Sequence, residues 1–424
     1  MGILKIWLIW GIAAFFYGYE FLLRVSPCVM QTDLMQTFNL DSSSLGFVVS
    51  LYYWAYATMQ IPGGILLDKY GPRIILTIAA FICSIAIIYL GFTESVLFAG
   101  IARFMVGFGS SVALIGTFKL IGNCFPPNRF AFVAGLTLTF GTIGASLAGK
   151  PLVFIIDRIG WRHSLYFLGI IGFLNTLLLW WIVIDNPPIK SITTFKNTLD
   201  NKQKDKASYN ILVPFKSVIK NSQSWLIGGC TAFMYIPVVC FGEFWGVPYV
   251  MKLCSCNKSD AAGSTSLIFI GITIGAPLFG YVSDCWKNRK IPLYAGTIVV
   301  FLIMNFIIYI PELSLKVLSI LMFVLGVFLS SVIILFALIR ENNPNNVSAA
   351  AVGFGNFICM IIPGIIQYII GAILKTLNPG LFAINETSYS LISFKLSFLI
   401  FPTSLFFAWL CLKHIRESYA LPCL

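Results

Sequence analysis

GGILLDKYGPR, residues 63–73, is the end of a long apolar run stopped by charge and by backbone. The apolar residues finish at Leu67, Asp68 and Lys69 follow, and Gly71-Pro72 breaks the helix before Arg73. The same ending returns 216 residues later as GYVSDCWKNRK, residues 280–290, where Gly280 and Asp284 take the places of Gly64 and Asp68. PPNRFAFVAG at 126–135 is echoed by NPNNVSAAAVG at 343–353, at nearly the same offset. A unit duplicated over half the chain, in a chain of apolar runs, is the plan of a secondary transporter with its solute site between the halves at mid-membrane.

The solvent of such a chain is lipid. Of its 424 residues 58% are hydrophobic and only 10% charged, with a mean hydropathy of +0.89. Soluble domains carry roughly 25% charged residues. The net charge of +12 is scattered one or two residues to a loop, without the aromatic-interleaved basic patch of a nucleic-acid binder. Most of the eleven cysteines, Cys83, Cys230, Cys240 and Cys411 among them, stand in apolar runs as small hydrophobes. Cys254 and Cys256 form the one close pair, too little for a metal site, so neither metal nor cofactor is expected. After MGILK the apolar run is too long for a signal peptide and reads as a first membrane helix.

A helix crosses the hydrocarbon with about 20 apolar residues. Twelve such stretches are expected, near 6–29, 45–67, 74–93, 96–124, 131–156, 165–184, 225–251, 262–282, 291–310, 317–339, 347–373 and 391–412. The fold expected is all-α: twelve transmembrane helices in two pseudo-symmetric six-helix bundles. One bundle takes residues 1–184 and the other 223–424, joined by a polar linker at 185–222 that contains DNPPIKSITTFKNTLDNKQKDKASYN. An even number of spans puts both termini on one side. That side's loops and tails hold 17 Lys/Arg against seven opposite, so the positive-inside rule places the termini in the cytoplasm.

With these residues the chain resembles the major facilitator superfamily along its whole length. The family's loop motif, G-x-x-x-D-R/K-x-G-R-R/K, stands here as Gly64, Asp68, Lys69, Gly71 and Arg73, departing at Pro72. The resemblance implies a gating role: small Gly64 lets helices approach, and Asp68 caps or pairs with a neighbouring helix end in the outward-open state. Gly280 and Asp284 repeat it in the second half. A second motif, R-x-x-x-G-x-G, appears as Arg103, Gly107 and Gly109, and the resemblance associates that arginine with proton coupling. The drug-antiporter motif of the fifth helix is not kept in GTIGASLAGKP, residues 141–151, which weighs against drug efflux. YEFLLRVSPCVM and YYWAYATMQIPGG resemble uptake carriers of intracellular bacteria.

Four basic and two acidic residues fall at membrane depth: Arg24, Arg103, Lys119 and Lys150 against Glu20 and Glu243. Ionised groups there normally face protein or a watery cavity. Glu20 and Arg24, four residues apart, share a helix face, either as a self-neutralising pair or lining the cavity. The excess of cations favours a carboxylate-bearing solute, with Arg24, Lys150 and Lys119 as its anchors and Tyr19 and Tyr53 as aromatic contacts. Lys119 and Lys150 can also snorkel to the interface. Glu20 and Glu243, with Arg103, are the candidates for proton coupling.

GASLAGK, residues 144–150, has the spacing of a phosphate-binding loop, but Pro151 follows the lysine and no strand precedes it. The two histidines, His163 and His414, sit near helix ends, and no nucleophile or metalloprotease motif occurs, so no enzyme is expected. The expected protein is a monomeric, proton-coupled carrier of a small amino acid, peptide or organic acid in a bacterial inner membrane. Efflux of a siderophore-like or drug-like compound and a non-transporting sensor are the alternatives.

Overall fold

A computed structural model describes residues 3–125, 127–185, 217–344, 347–378 and 389–417, leaving aside the side chains of residues 3, 61, 68, 127–132, 348 and 349. Residues 186–216, the body of the expected linker, and the Asp68 side chain thus lie outside the described residues. Among those described, every regular element is helical.

Twelve spans follow in order. Spans 1 to 4 are Leu4–Val29, Ser42–Tyr70, Pro72–Phe92 and Val96–Cys124. Span 5 starts as Pro127–Leu147 and resumes in Lys150–Ile182, whose remainder is span 6. Spans 7 to 12 are Ser222–Cys254, Lys258–Cys285, Lys290–Tyr309, Leu315–Glu341, Ala350–Leu377 and Leu391–His414. Large apolar side chains such as Leu97, Trp181 and Ile392 are mostly exposed. Lipid covers such faces, because a chain this apolar cannot bury them all in its own core.

Local chemistry sets the corners. Gly160, with φ +80°, turns span 5 into span 6 in a backbone region open to glycine at little cost. Spans 4 and 10 both break at the same tripeptide, Ser-Ser-Val: the first between Ser110 and Ala113, the second at Ser330–Val332, 220 residues on. Gln60 Nε2 reaches the carbonyl of Ser111 at the first break, 3.4 Å away.

The side that carries both chain ends repeats the duplication in its caps. The amide of Arg73, in the first turn of span 3, donates to Asp185 at the end of span 6, 2.7 Å. The amides of Arg289 and Lys290, where span 9 begins, donate to Glu417 beyond span 12, 3.1 and 3.0 Å. A carboxylate at a helix N-terminus meets both the unpaired amides and the positive end of the dipole. Arg73 also donates to the Trp180 carbonyl, and Arg289 bridges Asp284 and Glu341.

The halves meet along spans 2 with 11 and 5 with 8. They are pressed together on the side away from the termini, where Lys258 pairs with Asp33, Lys375 with Asp41 and Lys150 with Asp260. A Cβ on Gly149 or Gly371 there would strike the Ser266 side chain or the Ser42 backbone of the opposite half. At the other end, a Cβ on Gly64 or Gly280 meets nothing within 4 Å. The close approach expected at Gly64 is therefore absent from this state, in which the terminal-side ends of spans 2 and 8 stand clear.

Candidate functional site

Span 1 carries its charge where the helix ends. Arg24 sits in the last turn before Pro27 breaks the helix into a 3-10 turn. A cation at the carbonyl end of a helix is favoured by the dipole. Arg103 of span 4 completes that end. Its Nη1 donates to the Leu23 carbonyl at 3.0 Å and its Nη2 to that of Arg24 at 3.5 Å, two acceptors that a helix terminus leaves unmet. Arg103 also lies over the Tyr52 ring, 5.1 Å from its centre. It holds the end of span 1 in place.

Arg24 spends its charge across the seam. Nη2 stands 2.9 Å from Oε1 of Glu243 on span 7, both side chains at most 1% exposed. The contact is close but misaligned, and neither atom completes a hydrogen bond through it. Tyr53 of span 2 donates to the other Glu243 oxygen at 2.5 Å. The preceding residue, Tyr52, donates to Glu20 at 2.7 Å. Consecutive tyrosines on one helix thus hold both acids, one in their own half and one in the other. The guanidinium also lies 3.7 Å from the centre of the Phe21 ring. Arg24 thus faces Glu243 of the other half, while Glu20 is held by Tyr52 of its own.

Besides that ion-paired couple, three more buried atoms here have no hydrogen-bond partner: Oε1 of Glu20, Nε of Arg24 and Nε of Arg103. An unmet buried polar atom costs about 1–3 kcal/mol.

The remaining sequence candidates lie elsewhere. Tyr19 points to span 6 and donates to the Leu168 carbonyl, 3.0 Å. Lys119 donates to the Leu67 carbonyl at 2.6 Å and caps the end of span 2. Lys150, 61% exposed, faces Asp260 at 3.3 Å across the seam. Tyr19 as an aromatic contact and Lys119 and Lys150 as anchors are corrected: the first is packed, the second is a helix cap, and the third belongs to the closure of the far side.

Two features were not singled out in the sequence. Gln31, in the turn after span 1, donates to the Phe244 carbonyl at 2.6 Å, and Cys28 Sγ lies 3.3 Å from the same oxygen. The segment Pro237–Trp245, which carries Glu243, is wound as a π-helix. The prolines at 237 and 248 were the available signal.

Comparison with known proteins fits this architecture. A model of the Major Facilitator Superfamily matches residues 8–368. A probable sulfoacetate transporter of Cupriavidus necator is 26% identical over 290 residues, which is 65% of this chain and 64% of that protein. This chain therefore spans somewhat less than two thirds of that relative's length. A probable galactarate/D-glucarate transporter of Escherichia coli is 23% identical over 395 residues, 85% of each chain. Among solved structures, a bacterial homologue of the human lysosomal transporter Spinster, inward-facing and unoccupied, superposes with a TM-score of 0.74 at 15% identity, over 98% of both chains.

Proposed function

This chain belongs to the Major Facilitator Superfamily of multi-pass membrane transporters, and from that premise we propose that it carries a small carboxylate-bearing solute into a bacterial cell in symport with protons. One observation carries the reading: Arg24 is buried at the seam, and its partner carboxylate, Glu243, belongs to the other half. Alternating access requires the halves to part on the far side, and that motion pulls Glu243 off Arg24.

An unpaired guanidinium in the membrane is costly. A carboxylate from the solute restores the charge pairing that Glu243 had supplied, and its second oxygen can meet the idle Nε. Glu243 in turn sheds its isolated charge by taking a proton. Solute and proton are then drawn in together, because each answers a cost that the other's arrival creates. The relatives named for sulfoacetate and for galactarate/D-glucarate are carriers of organic acids, which supports this class over amino acids or drugs. In this reading the termini are cytoplasmic, as the loop charges imply.

Uptake into proteoliposomes tests it. D-galactonate, D-glucarate and sulfoacetate are offered with pH 5.5 outside and 7.5 inside. At least one should accumulate, a protonophore should abolish the accumulation, and Arg24→Gln should abolish uptake. Transport of none of the three removes the substrate class, and accumulation indifferent to the protonophore removes the proton.

A further inference from the structure

Span 7 is wound as a π-helix from Pro237 to Trp245. π-turns mostly occur singly and frequently at functional sites, so nine residues need a cause. Two prolines frame the stretch, Pro237 at its start and Pro248 three residues past its end. In an α-helix the Phe244 carbonyl would accept from the amide of residue 248, and proline has no amide hydrogen. The other half supplies the donor: Gln31, 1% exposed, gives its Nε2 at 2.6 Å, and the weaker Cys28 thiol lies at 3.3 Å.

Phe244 is the neighbour of Glu243. That acid takes its side-chain partners Arg24 and Tyr53 from the opposite half. Glu20 differs, because Tyr52 holds it within one half, and motion of rigid halves preserves that bond. The acid whose surroundings change with the transport cycle is therefore Glu243, and its placement depends on the register of the π-helical stretch.

We propose that Gln31 is a positioning residue: by donating to the Phe244 carbonyl while the far side is shut, it pins the π register of span 7 that presents Glu243 to Arg24 and Tyr53. The proposal rests on reading the Arg24–Glu243 pair as the point where solute and proton are exchanged. One residue of register is about 100° of helix rotation, enough to carry the carboxylate from the seam to another face. Around Glu243 stand Arg24 and Glu20 from span 1, Tyr53 from span 2, Arg103 from span 4, Tyr235 and Cys240 from span 7 itself, and Cys359 from span 11. No other carboxylate among them comes from span 7, so a shift in this register moves one titrating acid.

The test is a double-mutant cycle read by hydrogen–deuterium exchange of the far-side segments 26–41 and 252–260, on the full chain in nanodiscs, at pH 5.5 and 7.5 after correction for intrinsic rates. In the wild type these segments should be about tenfold better protected at pH 7.5. Gln31→Leu should cut that difference below threefold, as should Glu243→Gln, and the double variant should add nothing. If Gln31 were only a latch between halves, Gln31→Leu would lower protection by the same factor with or without Glu243 and leave the pH difference intact; that result overturns the proposal.

Pro248→Ala gives an independent arm should Gln31→Leu fold poorly. It supplies the missing amide within the helix, so an α-turn competes with the π register. It should flatten the pH difference while raising or keeping thermal stability, and an unchanged pH difference would count against the proposal. Coupling of Gln31 to Glu243 at a single pH, in a protein that carries none of the three acids, would uphold the positioning role and dismiss the transport reading alone.

Discussion

Removing the charge of Arg24 while leaving Glu243 in place is the most demanding perturbation of this site. In Arg24→Gln the Glu243 carboxylate keeps the hydroxyl of Tyr53 and loses the cation 2.9 Å away, at a position 1% exposed. Glu20, one turn back on span 1 and bonded to Tyr52, is left without the same neighbour. Removing one member of a buried pair costs about 3–5 kcal/mol, because the surviving charge is stranded, whereas replacing both members is often nearly neutral. Arg24→Gln should therefore lower the unfolding free energy by about 3–5 kcal/mol. Arg24→Gln/Glu243→Gln should recover most of it and still not transport. The assay is thermal unfolding of the detergent-solubilised chain followed by tryptophan fluorescence, with uptake measured on the same preparations. A single variant as stable as the wild type, or a double variant no better than the single, would show that the two charges are not paired in the folded protein.

Three further substitutions separate the seam from its surroundings. Lys150→Met removes a pair that is 61% and 40% exposed, and exposed pairs contribute roughly 0–1 kcal/mol, so uptake affinity for the solute should change less than about threefold; a larger loss would return Lys150 to the binding site. Asp41 is driven two ways: its partial burial raises its pKa, but hydrogen bonds from Lys375 and from the Ser44 amide outweigh burial and hold the carboxyl below its ordinary value. Because the folded value is the lower one, that stabilisation is complete above about pH 4 and is lost as pH falls through the folded value; Asp41→Asn should remove this acid limb from a stability–pH curve and leave the curve above pH 5 unchanged in shape. Gly71 has φ +82°, and a Cβ there would lie 2.6 Å from the Asp185 carboxylate. Gly71→Ala should thus destabilise by more than the roughly 1 kcal/mol of the backbone conformation alone, measured by the same unfolding assay.

The spans were legible because a membrane helix is written locally: about 20 apolar residues in a row, ended by charge or by Gly-Pro. The helix end at Gly71-Pro72 was legible for a like reason, but the contacts of Arg73 with Asp185 and Trp180, more than 100 residues away, were not. The pairing at the site was not, because Arg24 and Glu243 are far apart in the chain and nothing in either segment names the other. Depth judged by counting residues also misplaces Lys150. From Pro127 to the corner at Gly160 span 5 is nearly continuous helix, about 50 Å at 1.5 Å per residue against a hydrocarbon core of about 30 Å. In a helix longer than the hydrocarbon, position along the chain does not fix depth, and Lys150, about 15 Å short of the corner, meets Asp260 of span 8 there. The Ser-Ser-Val repeat at 110 and 330 could have been found by the same comparison of halves that found Gly64 and Gly280.

Duplication explains the scaffold and stops short of the site. The breaks in spans 4 and 10 match, and so do the caps at Asp185 and Glu417. The buried charges do not: among the described residues, Arg24, Arg103 and Glu20 belong to the first half, and Glu243 alone answers them from the second. On the proposed function, a balanced pair kept within each half would leave no charges to separate when the far side opened, and a solute anion would find none waiting. With cations on one side of the seam and the answering acid on the other, the same rocking motion changes the electrostatics at Arg24 each time it occurs. In the proposed mechanism, that loss of symmetry would let a symmetric frame bind an anion in one state and release it in the other.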